Sequence, residues 1–295
     1  MEGNREAKLR IAAWAVVIAF IGSSSVLTTG ANAGQAPSYG KYAAVLSAYV
    51  DNEGMVDYKA LKADRRKLDS FVVEFAALDV KNYEQWTEKE KIAFWINAYN
   101  ALTLKAIIDH YPIDASPLTS IFFPESSIRQ IPGVWDKLRF PVMGQSVTLD
   151  EIEHQTLRKN FKEPRIHMAL VCAAMGCPPL RREPYTAERL DTQLDDQARR
   201  FLSDPLKFRI DQAEGLVYLS PIFKWFGGDF ARAYKTETKA HRQTDVQSAI
   251  INFIRKYLDE RESEYLAAGG YALLYLSYDW SLNEQKDDKQ GEKDR

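Results

Sequence analysis

The run Ile92-Ala-Phe-Trp-Ile-Asn-Ala-Tyr-Asn-Ala-Leu-Thr-Leu-Lys-Ala-Ile-Ile108 is apolar on most of its circumference. A helix of that kind needs cover on every side, so it belongs at the centre of a fold. Thr87-Glu88-Lys89-Glu90 has the form of a capping box and predicts a helix from about Glu90 to Ile108. Glu90 and Asn97 share one face about two turns apart, with Asn100 a turn further on. Buried amides are costly unless hydrogen-bonded, so Asn97 and Asn100 require partners. They read as the wall of a site or, by preference, as struts for a neighbouring loop. Capping is sufficient for Glu90, which is kept only as a supporting candidate.

The second constraint is Arg165-Ile-His-Met-Ala-Leu-Val-Cys-Ala-Ala-Met-Gly-Cys-Pro-Pro-Leu180, which holds the chain's only two cysteines and one of its four histidines. Ile166 to Cys172 is an apolar run of strand length, and Gly176-Cys177-Pro178-Pro179 ends any regular structure. His167 is therefore expected in a core strand with the thiols at its exit. That placement suits a nucleophilic site, and equally a small Cys172–Cys177 disulfide loop.

At the start of the chain, Arg5, Lys8 and Arg10 precede the apolar run Ile11 to Ile21, and Ala31-Asn32-Ala33 follows. This is the pattern of a secretory signal with an A-x-A cleavage site. Residues 1–33 are thus expected to be removed, 34–283 to form one domain, and 284–295 to be a disordered polar tail. The alternative of a retained anchor is disfavoured, because a span needs about 20 apolar residues. Export implies a periplasmic or secreted location where one disulfide is permitted. Taking the leader's three basic and two acidic side chains from 39 Lys+Arg and 41 Asp+Glu leaves a net charge of −3. That balance argues against nucleic-acid binding. Zinc-type cysteine spacing, a glycine-rich phosphate loop and a G-x-S-x-G elbow are not found, and neither a cofactor nor a metal is expected.

Elsewhere the pattern predicts a helix over 42–50, an amphipathic helix from Tyr58 to Leu78, and a hairpin over 139–149 turning at Gly144-Gln145. A helix through about Lys159 follows, with His154 and Arg158 four apart on one face. Further on come a charged helix from Tyr185, a hairpin over 208–219, a short helix from Ser220-Pro221 halted by Gly227-Gly228, and a helix over 246–258. Asp229 lies just past the aromatic group Phe223, Trp225 and Phe226. Tyr271 to Asn283 reads as an internal strand. The irregular section between Tyr111 and Asp136 suits a binding surface, a lid or packing.

These residues resemble the bacterial members of domain-of-unknown-function family 547. The resemblance is carried by Ala93 to Leu104, Ile152 to Arg158, Arg165 to Ala174, Gly176-Cys-Pro178, Leu219 to Phe226 and Tyr278 to Asn283. It implies one domain and brings no established catalytic residues. It also implies that His167 with Cys172 is more the family's signature than a Cys172–Cys177 bridge is.

Two readings stand. In the first, a thiol-dependent hydrolase or acyl transferase acts on amide or thioester bonds in the cell envelope. Cys172 would be the nucleophile and His167 the base, with Asn97, Asp229 or Asp279 as orienting group and His154 as a substitute base. Residues five apart on a regular strand face opposite ways, so His167 and Cys172 meet only if the strand bends. In the second, the protein is non-catalytic, a binding or structural protein with a Cys172–Cys177 disulfide. The expected fold is a single α+β domain, its central helix packed on a small, mostly antiparallel sheet holding the His167 and C-terminal strands. A papain-like or transglutaminase-like arrangement is an analogy of fold only.

Overall fold

The computed structural model describes residues 37–234 and 243–286. Helices α1 (Gly40–Tyr49), α2 (Tyr58–Ala63), α3 (Arg66–Ala76) and the short α4 (Val80–Glu84) lead into α5 (Glu88–His110). The capping box forms: Thr87 N–H donates to Glu90 Oε2 at 2.7 Å, and Glu90 N–H donates to Thr87 Oγ1 at 3.3 Å. Every residue of α5 from Ile92 to Leu104 is buried, as the all-round apolar pattern requires. The regular elements packed most closely on it are helices. It packs against α2, α3 and a π-helix, Glu151–Leu157, with rings of Phe75, Phe94 and Trp95 in edge contact. The expectation of a sheet against this helix is therefore corrected.

The sheets are small, one of two strands and one of three. Strands β1 (Phe140–Val142) and β2 (Gln145–Val147) form a hairpin whose turn residues Met143 and Gly144 both have positive φ, at 49° and 70°. That is the backbone a two-residue hairpin turn needs. After the π-helix come α6 (Arg158–Asn160), a 3-10 turn at Pro164–Met168, and α7 (Leu190–Leu202). A second hairpin, β3 (Phe208–Asp211) and β4 (Leu216–Leu219), is joined in parallel by β5 (Ala272–Tyr275), giving the order β3-β4-β5. Between them lie α8 (Pro221–Trp225), α9 (Gly227–Tyr234), α10 (Asp245–Arg255) and α11 (Glu260–Ala268). The described residues make one α+β domain with two buried clusters. One surrounds α5; the other joins Met168, Phe201, Phe223, Phe230 and Phe253. Tyr278 packs against both, which puts the seam between them beside it.

Several local expectations are corrected. Ile166 to Cys172 is not a strand: Glu163 caps a 3-10 turn over Pro164–Met168, and Arg165 is clamped by Glu163, Asp191 and Asp195. The run is apolar because it is buried, not because it is paired in a sheet. Its next backbone groups go to Asn100, which donates to Ala169 O at 3.0 Å and accepts from Val171 N at 2.9 Å. One amide side chain thus replaces a neighbouring strand. Tyr271 to Asn283 is internal only in part. Its strand β5 is the mostly exposed edge of the sheet, and the remainder is an irregular strap. The helix from Ser220-Pro221 does stop before Gly227-Gly228, at Trp225, but those glycines then open a new helix, α9. Glu284 and Gln285, expected in a disordered tail, are instead held on the domain: Glu284 bridges to Val56 and Gln285 N–H donates to Val56 O. The signal-like segment 1–33 and residues 287–295 lie outside the described residues.

Candidate functional site

The π-helix is built from local chemistry. Thr148 Oγ1 accepts from Glu151 N, and Glu151 Oε2 accepts from Thr148 N in return. The Arg158 N–H then reaches back five residues to Glu153 O. Widened turns of this kind recur at functional sites. Here one turn sends Glu153 and His154 together into a cavity of about 410 Å³ at the seam of the two clusters. The long irregular section supplies Arg129, Trp135 and Asp136 to the wall. Trp225 and Phe226 come from the end of α8, and Tyr278 and Trp280 from the C-terminal strap.

Behind the wall, Asp229 organises the charges. Its two oxygens accept from Arg158 at 2.6 and 3.2 Å, from Arg232 at 2.7 Å, and from His167 Nε2 at 2.8 Å. Burial works to raise its pKa, but the bonds from His167 and Arg158 hold it far below the usual carboxylate range. An ionised Asp229 only accepts, so His167 carries its proton on Nε2 and turns the Nδ1 lone pair towards Glu153, whose Oε1 is 3.9 Å away. Phe226 stacks on the His167 ring at 4.0 Å between centroids, and burial lowers the histidine's pKa despite Asp229. His154 is oriented separately. Arg158 Nη1 lies 2.9 Å from its Nδ1, and a guanidinium only donates, so neutral His154 keeps its proton on Nε2. Burial, and then Arg158, lower its pKa as well.

Glu153 is the most perturbed acid of the cavity. Burial pushes its pKa up to about 7, Arg158 opposes this, and Asp150 adds to it. Asp150 is itself raised by burial and by Asp136. A desolvated carboxyl near neutrality, in a cleft with specific charged neighbours, has the properties of a proton-transfer group.

Cys172 and Cys177 are joined in a disulfide on the cavity wall. The Tyr278 hydroxyl lies 3.2 Å from Cys172 Sγ and 3.0 Å from Cys177 Sγ. The loop they close is tied to the strap by Met175 N–H to Ser281 O and Gly176 N–H to Asp279 O, both at 2.8 Å. Gly176 is needed there, since a Cβ would meet the Tyr278 ring at 2.9 Å. The Cys172 sulfur therefore carries no thiol in this structure, and His167 makes its hydrogen bond to Asp229, not to the sulfur.

Of the residues singled out from the sequence, His154, His167, Cys172 and Cys177 line the cavity, and Asp229 stands directly behind His167. Three do not belong to it. Asn97 pairs with the Tyr185 backbone, donating to its O at 2.8 Å and accepting from its N at 2.9 Å, so it is a strut and not an orienting group. Glu90 is the cap of α5, away from this cavity. Asp279 is exposed and accepts from Ser281 N within its own turn. Glu153, Arg129, Tyr278 and the tryptophans went unassigned in the sequence. For Glu153 the available signal was its place beside His154 and one turn before Arg158. Among the described residues no His, Cys, Asp or Glu cluster is arranged to hold a metal, and no helix is long and apolar enough to cross a membrane.

No curated protein and no solved structure matches the chain. A family model does match, over residues 83–202, which run from before α5 to the end of α7. That segment contributes Arg129, Glu153, His154, His167 and the disulfide, while Asp229 and the Trp225, Tyr278 and Trp280 walls lie beyond it. Over that segment the chain matches the model of the family described as protein of unknown function, DUF547.

Proposed function

We propose that the cavity is the active site of a hydrolase or acyl transferase acting on amide or thioester bonds, with Glu153 as its proton carrier. The observation that carries this reading is a buried carboxyl poised near pH 7 inside a small-molecule-sized aromatic cavity, facing the lone pair of His167. As a carboxylate, Glu153 takes a proton from water or an acceptor hydroxyl while that oxygen bonds to the acyl carbon. The carbonyl electron pair moves to oxygen, where the Nε2–H of His154 is a neutral donor. When the adduct collapses, Glu153 returns the proton to the departing nitrogen or sulfur, and the carboxylate is restored. His167, held by Asp229 and Phe226, is the positioning residue for Glu153.

The disulfide also supports export of the chain and cleavage after Ala33, since such bonds persist in oxidising compartments. The mass of protein recovered from the periplasm checks this, with a mature start at Gly34 expected. The catalytic test is a panel of acyl p-nitrophenyl esters, anilides and thioesters. Turnover should inflect near pH 7 and fall by roughly 10²- to 10⁴-fold in Glu153→Gln. An unchanged rate in a folded Glu153→Gln protein refutes the assignment.

One observation favours a second reading: Cys172 lines the cavity, its Sγ 3.2 Å from the hydroxyl of Tyr278, which lines it too. In that reading reduction uncovers a thiol nucleophile, so activity appears only with reductant, survives Cys177→Ser and is lost in Cys172→Ser. If no condition gives turnover, the non-catalytic binding alternative stands for the same cavity.

A further inference from the structure

The arginines around the cavity are paired, with one exception. Arg158 and Arg232 bind Asp229, and Arg165 binds three carboxylates. Arg129 instead lies among aromatic rings: its guanidinium carbon is 4.3 Å from the Phe123 centroid, 4.9 Å from Trp280 and 5.4 Å from Trp135. Ring contacts of this kind hold a cation in place. They satisfy none of its five N–H donors, which lie in the plane of the group. Among the described residues no carboxylate stands within ion-pairing distance of it, and no hydrogen bond from its guanidinium is formed. Burial by itself, without a charged neighbour, pulls its pKa down. Arg129 is half-buried and lines the cavity that holds Glu153.

We propose that Arg129 anchors a carboxylate of the cavity's ligand, so that the site takes a monocarboxylate with an apolar body. A planar guanidinium matches a carboxylate through two parallel hydrogen bonds. Asp136, Asp150 and Glu153 line the same cavity and disfavour a second negative charge, which selects against phosphate dianions. Trp225, Phe226 and Tyr278 provide the surface for the apolar body. This inference deepens the hydrolase reading by naming its substrate class and rests on the same cavity, but it is tested without turnover.

Trp135, Trp225 and Trp280 line the site, so tryptophan emission of the full mature chain reports binding. The probes are N-acetylphenylalanine and N-acetylphenylalaninamide, which differ only in the charged end. The acid is expected to bind about tenfold tighter or more, the size of one charge-assisted hydrogen-bonded contact. Arg129→Met should erase that preference, and Arg129→Lys, which keeps the charge but not the fork, should weaken it several-fold. Equal binding of acid and amide, failure of the acid to bind, or a preference that survives Arg129→Met overturns the proposal. If Arg129→Met does not fold, an unaltered preference in Arg129→Lys overturns it instead. Glu153→Gln separates this from the catalytic reading. That variant should keep the acid preference while losing turnover, and each result can fail without the other.

Discussion

Replacing Glu153 by Gln exchanges a titrating carboxyl for a neutral amide of the same shape, and its effect on stability should depend on pH in a defined way. In the unfolded chain Glu153 ionises at its ordinary 4.5; in the fold it does so only near 7, mainly because burial disfavours the charge. Between those values the folded protein keeps a proton that the unfolded chain has released. The contribution of this carboxyl is therefore fully present below pH 4.5 and is lost as pH rises to about 7. At 1.36 kcal/mol per pH unit the gap is worth about 3 kcal/mol, an order-of-magnitude figure for a group that is 9 % exposed. Glu153→Gln cannot ionise and escapes that loss. Urea unfolding of both proteins at intervals from pH 4.5 to 8 measures it. The variant should gain on the wild type by about 3 kcal/mol across the window and run parallel to it outside. The lowered pKa values of His154 and His167 act in the opposite direction, but they act in both proteins and cancel to first order in the difference. A difference that stays flat from pH 4.5 to 8 refutes the reasoning, because Glu153 would then ionise alike in both states.

Three further outcomes are expected. Asp229→Asn removes the negative charge that raises the His167 pKa, so that pKa should fall further below 6.5; an NMR titration of the ring protons follows it, and an unmoved midpoint counts against the Asp229–His167 ion pair. Asn100→Ala leaves Ala169 O and Val171 N without partners in the core and should cost about 2–4 kcal/mol in urea unfolding, whereas a loss below 1 kcal/mol would mean that other groups hold that segment. Reducing the Cys172–Cys177 bridge reopens a six-residue loop and should cost about 2 kcal/mol, a fall in Tm of roughly 4–8 °C; no change on full reduction would show that the strap alone holds the loop.

Much of the fold was readable because it depends on local pattern. Thr87 with Glu90 started α5 where the capping box said, and the second hairpin turns where glycine and alternation placed it, while the first turns at Met143-Gly144, one residue before the expected Gly144-Gln145. Among site residues, the histidines and cysteines were readable by type, since few other side chains do their chemistry. Glu153 was not, because a glutamate on an amphipathic helix usually faces solvent; what makes it an acid near neutrality is burial beside Asp150, which no spacing reveals. Arg129 was hidden for the same reason, its rings coming from Phe123, Trp135 and Trp280 far apart along the chain.

The sequence alone determined that Ile92 to Ile108 must be central, that Asn97 and Asn100 inside it must find partners, and that Gly176-Cys177-Pro178 must end regular structure. Each follows from a property of one stretch: apolar periodicity, the cost of a bare amide, the backbone limits of proline. Only the tertiary structure decided that Asn100 serves in place of a strand neighbour, so that an apolar run of strand length became a 3-10 turn and an irregular segment. It decided also that His167 turns to Asp229 while the sulfurs turn to each other and to Tyr278. Those outcomes depend on which groups are brought within about 3–4 Å from distant parts of the chain, and hydrogen bonds and buried charges act only over such distances.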